Sequence, residues 1–94
     1  MAGPLFHLGM VLATPGVIRL LEEHGPDPGE LLARHQSGDW GDLCAEDWKM
    51  NECDLWEGGR LFSAYELAGG LGLRVWIFTE ADRSTTTILL PDEY

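Results

Sequence analysis

Leu73-Arg74-Val75-Trp76-Ile77-Phe78-Thr79-Glu80, then Ala81-Asp82-Arg83-Ser84, then Thr85-Thr86-Thr87-Ile88-Leu89-Leu90 decide the fold. In the first run Leu73, Val75, Ile77 and Thr79 alternate with Arg74, Trp76, Phe78 and Glu80. That period of two places alternate side chains on opposite faces of a strand. The four-residue break is a turn, and the β-branched run after it is a second strand that Pro91 ends. Upstream, Arg60 to Leu67 reads as another strand, with Ala68-Gly69-Gly70-Leu71-Gly72 as the loop between them. Three strands joined by short loops make an antiparallel meander.

The N-terminal half carries a different period. Phe6 to Ala13 is short and apolar, as a buried strand would be. Thr14-Pro15 then starts a helix, because Thr caps the first free N–H groups and Pro suits the first turn. Val17, Ile18, Leu20 and Leu21 give it an apolar face, and Gly25 ends it. Asp27-Pro28-Gly29-Glu30 starts a second helix with a capping-box arrangement. Leu31 and Leu32 face the core, and Ser37-Gly38 ends it. The short link between these helices makes an αα-hairpin. A third segment begins at Asp39 to Gly41. Cys44, Trp48 and Leu55 share one side with Asn51, and Gly58-Gly59 stops the helix. The expected fold is α+β, one domain over residues 1–94: an N-terminal strand, two to three helices and a three-stranded antiparallel meander packed against them.

Composition narrows the function. The 94 residues carry 16 acids and 6 bases, a formal charge of −10, yet 45% of the chain is hydrophobic and four residues are Trp. So much apolar material argues against a disordered acidic tail. No run approaches the ~20 apolar residues of a membrane span. Met1 to Thr14 lacks a cationic start, so a secretory signal is not expected. Cys44 and Cys53 make no disulfide framework, which suits reducing surroundings, and a cytoplasmic protein of a bacterial host is expected.

The charge is densest between Asp39 and Glu57, where Asp39, Asp42, Glu46, Asp47, Glu52, Asp54 and Glu57 face one cation, Lys49. A rigid helix with carboxylates every three or four residues spaces them ~5–6 Å apart, near the phosphate separation of a nucleic-acid strand. The competing reading is an ordinary solvated helix surface. Among the tryptophans, Trp48 and Trp76 suit packing, whereas Trp40 and Trp56 are expected to be partly exposed and able to anchor a partner. Asn51, inside an apolar stripe, must bond its amide to something and is expected to bridge backbone in a neighbouring loop.

Three other constellations carry residues with chemical potential. His7, His24 and His35 lack the close pairing of zinc ligands. Gly69-Gly70-Leu71-Gly72 precedes a strand, so no helix N-terminus stands ready to hold phosphate. Thr79-Glu80-Ala81-Asp82-Arg83-Ser84 sets two carboxylates beside Arg and Ser, a possible metal or phosphate site. The plainer account is a turn with Asp82 bonded locally and Arg83 paired with a carboxylate.

The stretch from Leu31 to Tyr94 also resembles a known family. The resemblance runs through Ala33-Arg34-His35, Gly38-Asp39-Trp40-Gly41-Asp42-Leu43, Glu46-Asp47, Asn51, Ser63-Ala64-Tyr65, Trp76-Ile77, Thr79 to Ser84, Thr86-Thr87 and Leu89-Leu90-Pro91. The family comprises small acidic "plasmid-related" proteins of proteobacterial plasmids and other mobile elements. It implies a mobile-element setting and an anti-CRISPR role, against a type I-C surveillance complex, and supplies no catalytic residues. The resulting expectation is a non-enzymatic inhibitor, a DNA mimic without cofactor or metal. Its partner would be a basic nucleic-acid-binding protein of a host defence system, such as a Cas subunit, with no direct contact to nucleic acid or membrane and with a monomer favoured. Partner-binding residues would be Asp39, Trp40, Asp42, Glu46, Asp47, Glu52, Asp54, Trp56 and Glu57. The alternatives are a small metal-dependent hydrolase using Glu80, Asp82 and Arg83, or an antitoxin-like module for a basic partner.

Overall fold

A computed structural model describes residues 3–67 and 72–94. The chain is an α+β domain with element order β1 (Met10–Ala13), α1 (Pro15–His24), α2 (Pro28–Gln36), α3 (Ala45–Glu57), β2 (Leu61–Glu66), β3 (Arg74–Thr79) and β4 (Thr85–Leu89), closed by a 3-10 turn at Pro91–Glu93. The expected loop at Ala68–Gly72 lies, save for Gly72, outside the described residues.

β2, β3 and β4 form the expected meander, but the sheet has four strands in the order β1-β4-β3-β2. β1 joins β4 in parallel, with Met10 opposite Thr85 and Ala13 opposite Ile88. The sheet is therefore mixed rather than a three-stranded antiparallel meander. β1 is also shorter than the expected Phe6–Ala13. Gly9 sits at φ +65 with the Ser84 carbonyl where a Cβ would come within 2.2 Å, so extended pairing begins only at Met10.

Both helices start at the expected caps. Val17 N–H donates to the Thr14 hydroxyl at 3.3 Å, and Gly29 N–H donates to the Asp27 carboxylate at 2.7 Å; the expected capping box is not formed, because Asp27 takes the Gly29 N–H and Glu30 makes no return bond. α1 and α2 bury Val17, Leu21 and Leu31 against Tyr65, Leu67, Val75, Ile77 and Ile88 on one face of the sheet. Ile18 does not join them and is exposed. Each such fully buried aliphatic side chain contributes ~1.5–3 kcal/mol.

The opposite sheet face is aromatic. Phe62 stacks on Phe78 at 4.5 Å, Phe78 on Tyr94 at 4.9 Å, and Trp76 meets Phe62 edge-on at 5.2 Å. The Arg60 guanidinium lies 4.3 Å above the Phe78 ring. Trp76 thus packs half-buried on this outer face instead of in the core between sheet and helices.

Polar bonds run through the interior. His35 of α2, fully buried, reaches Ser63 through Nδ1 at 2.5 Å and Thr79 through Nε2 at 2.9 Å. Thr79 meets Thr86 at 2.8 Å, and the Thr86 hydroxyl donates to the Leu8 carbonyl at 2.7 Å. Every proton direction follows from the last bond. A carbonyl only accepts, so Thr86 spends its hydrogen there, Thr79 must donate to Thr86, and His35 Nε2–H must donate to Thr79. Nδ1 is then the acceptor, and Ser63 donates to it. One relay stitches β2, α2, β3, β4 and the segment before β1 together.

Candidate functional site

α3 lies beside the edge strand β2 and is held at two points. Asn51 Nδ2 donates to the Phe62 carbonyl at 2.5 Å, and Phe62 N–H donates to Asn51 Oδ1 at 3.1 Å. The amide thus closes the free edge of a strand, where a loop had been expected. At the other end, the Arg83 guanidinium donates to the carbonyls of Asp54 (3.0 Å) and Gly59 (2.5 Å). A cation on the last carbonyls complements the helix dipole. No base stands in the last turn of α3 itself, so Arg83 supplies that charge from the β3–β4 turn.

The Asp39 to Cys44 segment is not the start of α3. It is a strap laid along β2: Ala64 N–H donates to the Trp40 carbonyl at 3.1 Å and Asp42 N–H to the Ala64 carbonyl at 2.7 Å. Gly41, at φ +77, passes so close that a Cβ would come within 2.1 Å of the Ala64 oxygen. Cys44 is the exposed residue that precedes α3, not part of its apolar stripe, and Cys44 and Cys53 are both free.

These contacts divide the expected partner-binding residues. Asp39 pairs with Arg34 at 2.7 Å, and that hydrogen bond holds its carboxyl below the usual range. The Asp42 carboxylate accepts the Glu66 N–H at 3.0 Å. Trp40, expected to be exposed, is fully buried, stacked on Phe6 at 6.2 Å and edge-on to His35 at 5.6 Å. The strap is pulled onto β2 from both sides of Trp40, so the indole can only point inward. Trp40 is no partner anchor. Trp56 is 83% exposed, as expected.

Five acids remain on α3. At ~100° per residue, Glu46, Asp47, Asp54 and Glu57 fall within a ~100° arc, with Met50 in its middle. Glu52 projects on the far side, near Lys49 and Trp56. The arc does not carry a charge every turn: a Glu46/Asp47 pair and an Asp54/Glu57 pair stand ~10 Å or more apart along the axis, with exposed Met50 between. Among the described residues, none of these five carboxylates belongs to an ion pair; the four pairs present use Glu23, Asp39, Glu80 and Glu66. Glu57 also faces Cys53, whose thiol it pushes up.

The Glu80 to Ser84 turn is built for structure. Ser84 N–H donates to the Asp82 carboxylate at 3.0 Å, and Glu80 lies 3.5 Å from Arg60. Arg83 was expected to pair with a carboxylate; instead it spends its guanidinium on four carbonyls, those of Gly59, Asp54, Glu80 and Ala81. Four carbonyls around one guanidinium satisfy it without a carboxylate. Among the described residues no group of three or more His, Cys, Asp or Glu is placed to hold a metal ion. The Ser63–His35 contact has the atoms of a nucleophile–base pair. Both residues are fully buried, however, and burial, with Arg83 nearby, lowers the His35 pKa to about 3.

Two features escaped the sequence reading: the His35 relay and the outer aromatic face. The latter was visible as the second phase of β3, in Trp76 and Phe78; the relay links residues too distant in sequence to show a pattern. Compared with models of known protein families, with curated proteins and with solved structures, the chain matches none. Among the described residues, no helix is long and apolar enough to cross a membrane.

Proposed function

We propose that this protein is a non-enzymatic inhibitor that docks the exposed arc of α3 onto a basic nucleic-acid-binding surface of a host defence complex, such as a type I CRISPR surveillance complex, and keeps DNA out. The observation that supports this most is the set of four unpaired carboxylates, Glu46, Asp47, Asp54 and Glu57, on one rigid arc. Two of them stand in the last turn, where the helix dipole opposes negative charge. A surface shaped by stability alone would carry cations there.

The footprint is smaller than the sequence implied. Asp39 and Asp42 are engaged within the fold, Trp40 is buried, and Glu52 with Trp56 faces elsewhere. Carboxylates of the arc stand in for phosphates, and Met50 gives an apolar contact between the two pairs. An antitoxin-like module for a basic partner would use the same arc, and the identity of a captured protein separates the two readings.

The test is capture of basic nucleic-acid-binding proteins from bacterial lysate, followed by DNA-binding assays on the captured complex. Glu46→Gln, Asp47→Asn and Glu57→Gln together should abolish capture and restore DNA binding, with the circular dichroism spectrum unchanged. Glu52→Gln should behave as the parent. Full potency in the triple variant would refute the proposal.

A further inference from the structure

The two edges of the sheet are treated in opposite ways. Most outward backbone groups of β2 that an incoming strand would seek are engaged: Phe62 by Asn51, Ala64 by the strap, and the Glu66 N–H by Asp42. β1 at the other edge has no such cover. Met10 N–H donates to Ser84 and Thr14 N–H to Ile88, so Met10, Leu12 and Thr14 bond inward to β4. Alternation then turns the N–H and C=O of Val11 and Ala13 outward. Met10, Val11 and Leu12 are 64%, 43% and 46% exposed. Proteins normally guard such an edge by keeping the strand very short or with Lys, Pro, a bulge or a covering segment. β1 is short, at 4 residues, but among the described residues it has none of the other devices.

We propose that β1 is a dimer interface: two copies of this chain pair their β1 strands antiparallel about a two-fold axis through Leu12, making one continuous eight-stranded sheet. Val11 would bond to Ala13 of the second copy and Ala13 to its Val11, which engages all the free groups with Leu12 facing Leu12 between them.

Two observations select a second copy as the occupant. The first is charge. The chain carries −10, yet between Gly3 and Ile18 there is no Asp, Glu, Lys or Arg. Pairing through β1 sets no charged side chains of the strand against each other, whereas a basic partner would gain nothing from it. The second is shape. Val11 and Ala13 share the helix-side face with Thr86 and Ile88. Beside Ala13 a mainly apolar groove of about 260 Å³ is lined by Ala13, Ile18, Leu21 and Ile88, with Glu22 and Asp27 also in its lining. Antiparallel pairing sets Val11 of the second copy opposite Ala13, at the mouth of that groove. Exposed Ile18 lies on the same rim. This interface lies on a different element from the acidic arc, and each proposal stands without the other.

Sedimentation equilibrium of the purified chain decides the matter. The expected mass is twice the 10.4 kDa of one chain. The dimer should tighten as salt rises, because salt screens repulsion between two acidic bodies, whereas docking to a basic surface should loosen. Leu12→Lys should give a folded monomer. Val11→Pro removes an outward N–H that β4 does not use, and it too should give a monomer. In a Cys44→Ser, Cys53→Ser background, Leu12→Cys should oxidise to a covalent dimer, since facing residues of a non-hydrogen-bonded pair stand ~4.5–5.5 Å apart at Cβ. That crosslink reads the geometry even if the other variants fail to fold. A monomeric parent chain, a dimer that survives in folded Leu12→Lys, or no crosslink at Leu12→Cys would each overturn the proposal.

Discussion

His35 is neutral in the fold because burial, with Arg83 nearby, disfavours its charged form, and its relay offers two hydroxyls but no carboxylate to hold a second proton. Its pKa falls to about 3, against 6.5 unfolded. Below 6.5 the unfolded chain binds a proton that the native state refuses, so stability present above that pH is lost as the pH falls towards 3. The slope reaches ~1.4 kcal/mol per pH unit. Urea denaturation from pH ~6.5 to ~5, above the carboxylate range, should show this loss, and His35→Gln should flatten it. A parent chain with pH-independent stability in that window would contradict the buried neutral imidazole. Arg83 is the second residue with consequences beyond its own turn. Arg83→Ala removes charged hydrogen bonds to the end of α3 and should cost roughly 1.5–3 kcal/mol in chemical denaturation. At this scale the sequence was only partly legible. Asn51 announced itself as a polar residue in an apolar stripe. Trp40 did not, because Gly-Asp-Trp-Gly reads as an exposed turn until Ala64 is known to lie alongside.

Helix starts and the hairpin strands were legible because each is written locally, in a cap residue or a period of two. The strap was not, since its extended form depends on β2 and on Gly41. Gly41→Ala sets a side chain at positive φ against the Ala64 carbonyl and should cost roughly 2–4 kcal/mol, measured by thermal or urea unfolding. Within α3, the acids of the first turn agree with the dipole and those of the last turn oppose it. Glu57→Lys should therefore stabilise the fold by ~0.3–1 kcal/mol while weakening capture of the basic partner. Stability and binding moving in opposite directions would mark Glu57 as a residue kept for contact. If both fell together, the side chain would have a structural duty that its exposure does not suggest. The candidate site was legible as composition, in the density of carboxylates from Asp39 to Glu57. How the strap and helix share them was not, because that requires the register of Asp39–Asp42 on β2.

For the molecule as a whole, a charge of −10 on a chain with 16 acids and 6 bases is balanced by a single apolar layer between α1, α2 and the sheet. Acidic docking driven by this field should weaken steeply with salt, and capture from lysate at rising ionic strength measures it. Capture indifferent to salt would point to an apolar contact instead. The mixed sheet was the part of the architecture least visible in sequence. Antiparallel neighbours announce themselves through short turns, whereas β1 and β4 meet across almost the full length of the chain. That pairing has a consequence during synthesis. Of the strands in this sheet β1 leaves the ribosome first and must wait for β4, the last of them, and non-local pairing of this kind is slow. A nascent chain stalled before Thr85 should yield quickly to protease, whereas one in which β4 has cleared the ribosome should resist, so the domain completes its sheet only once β4 has emerged.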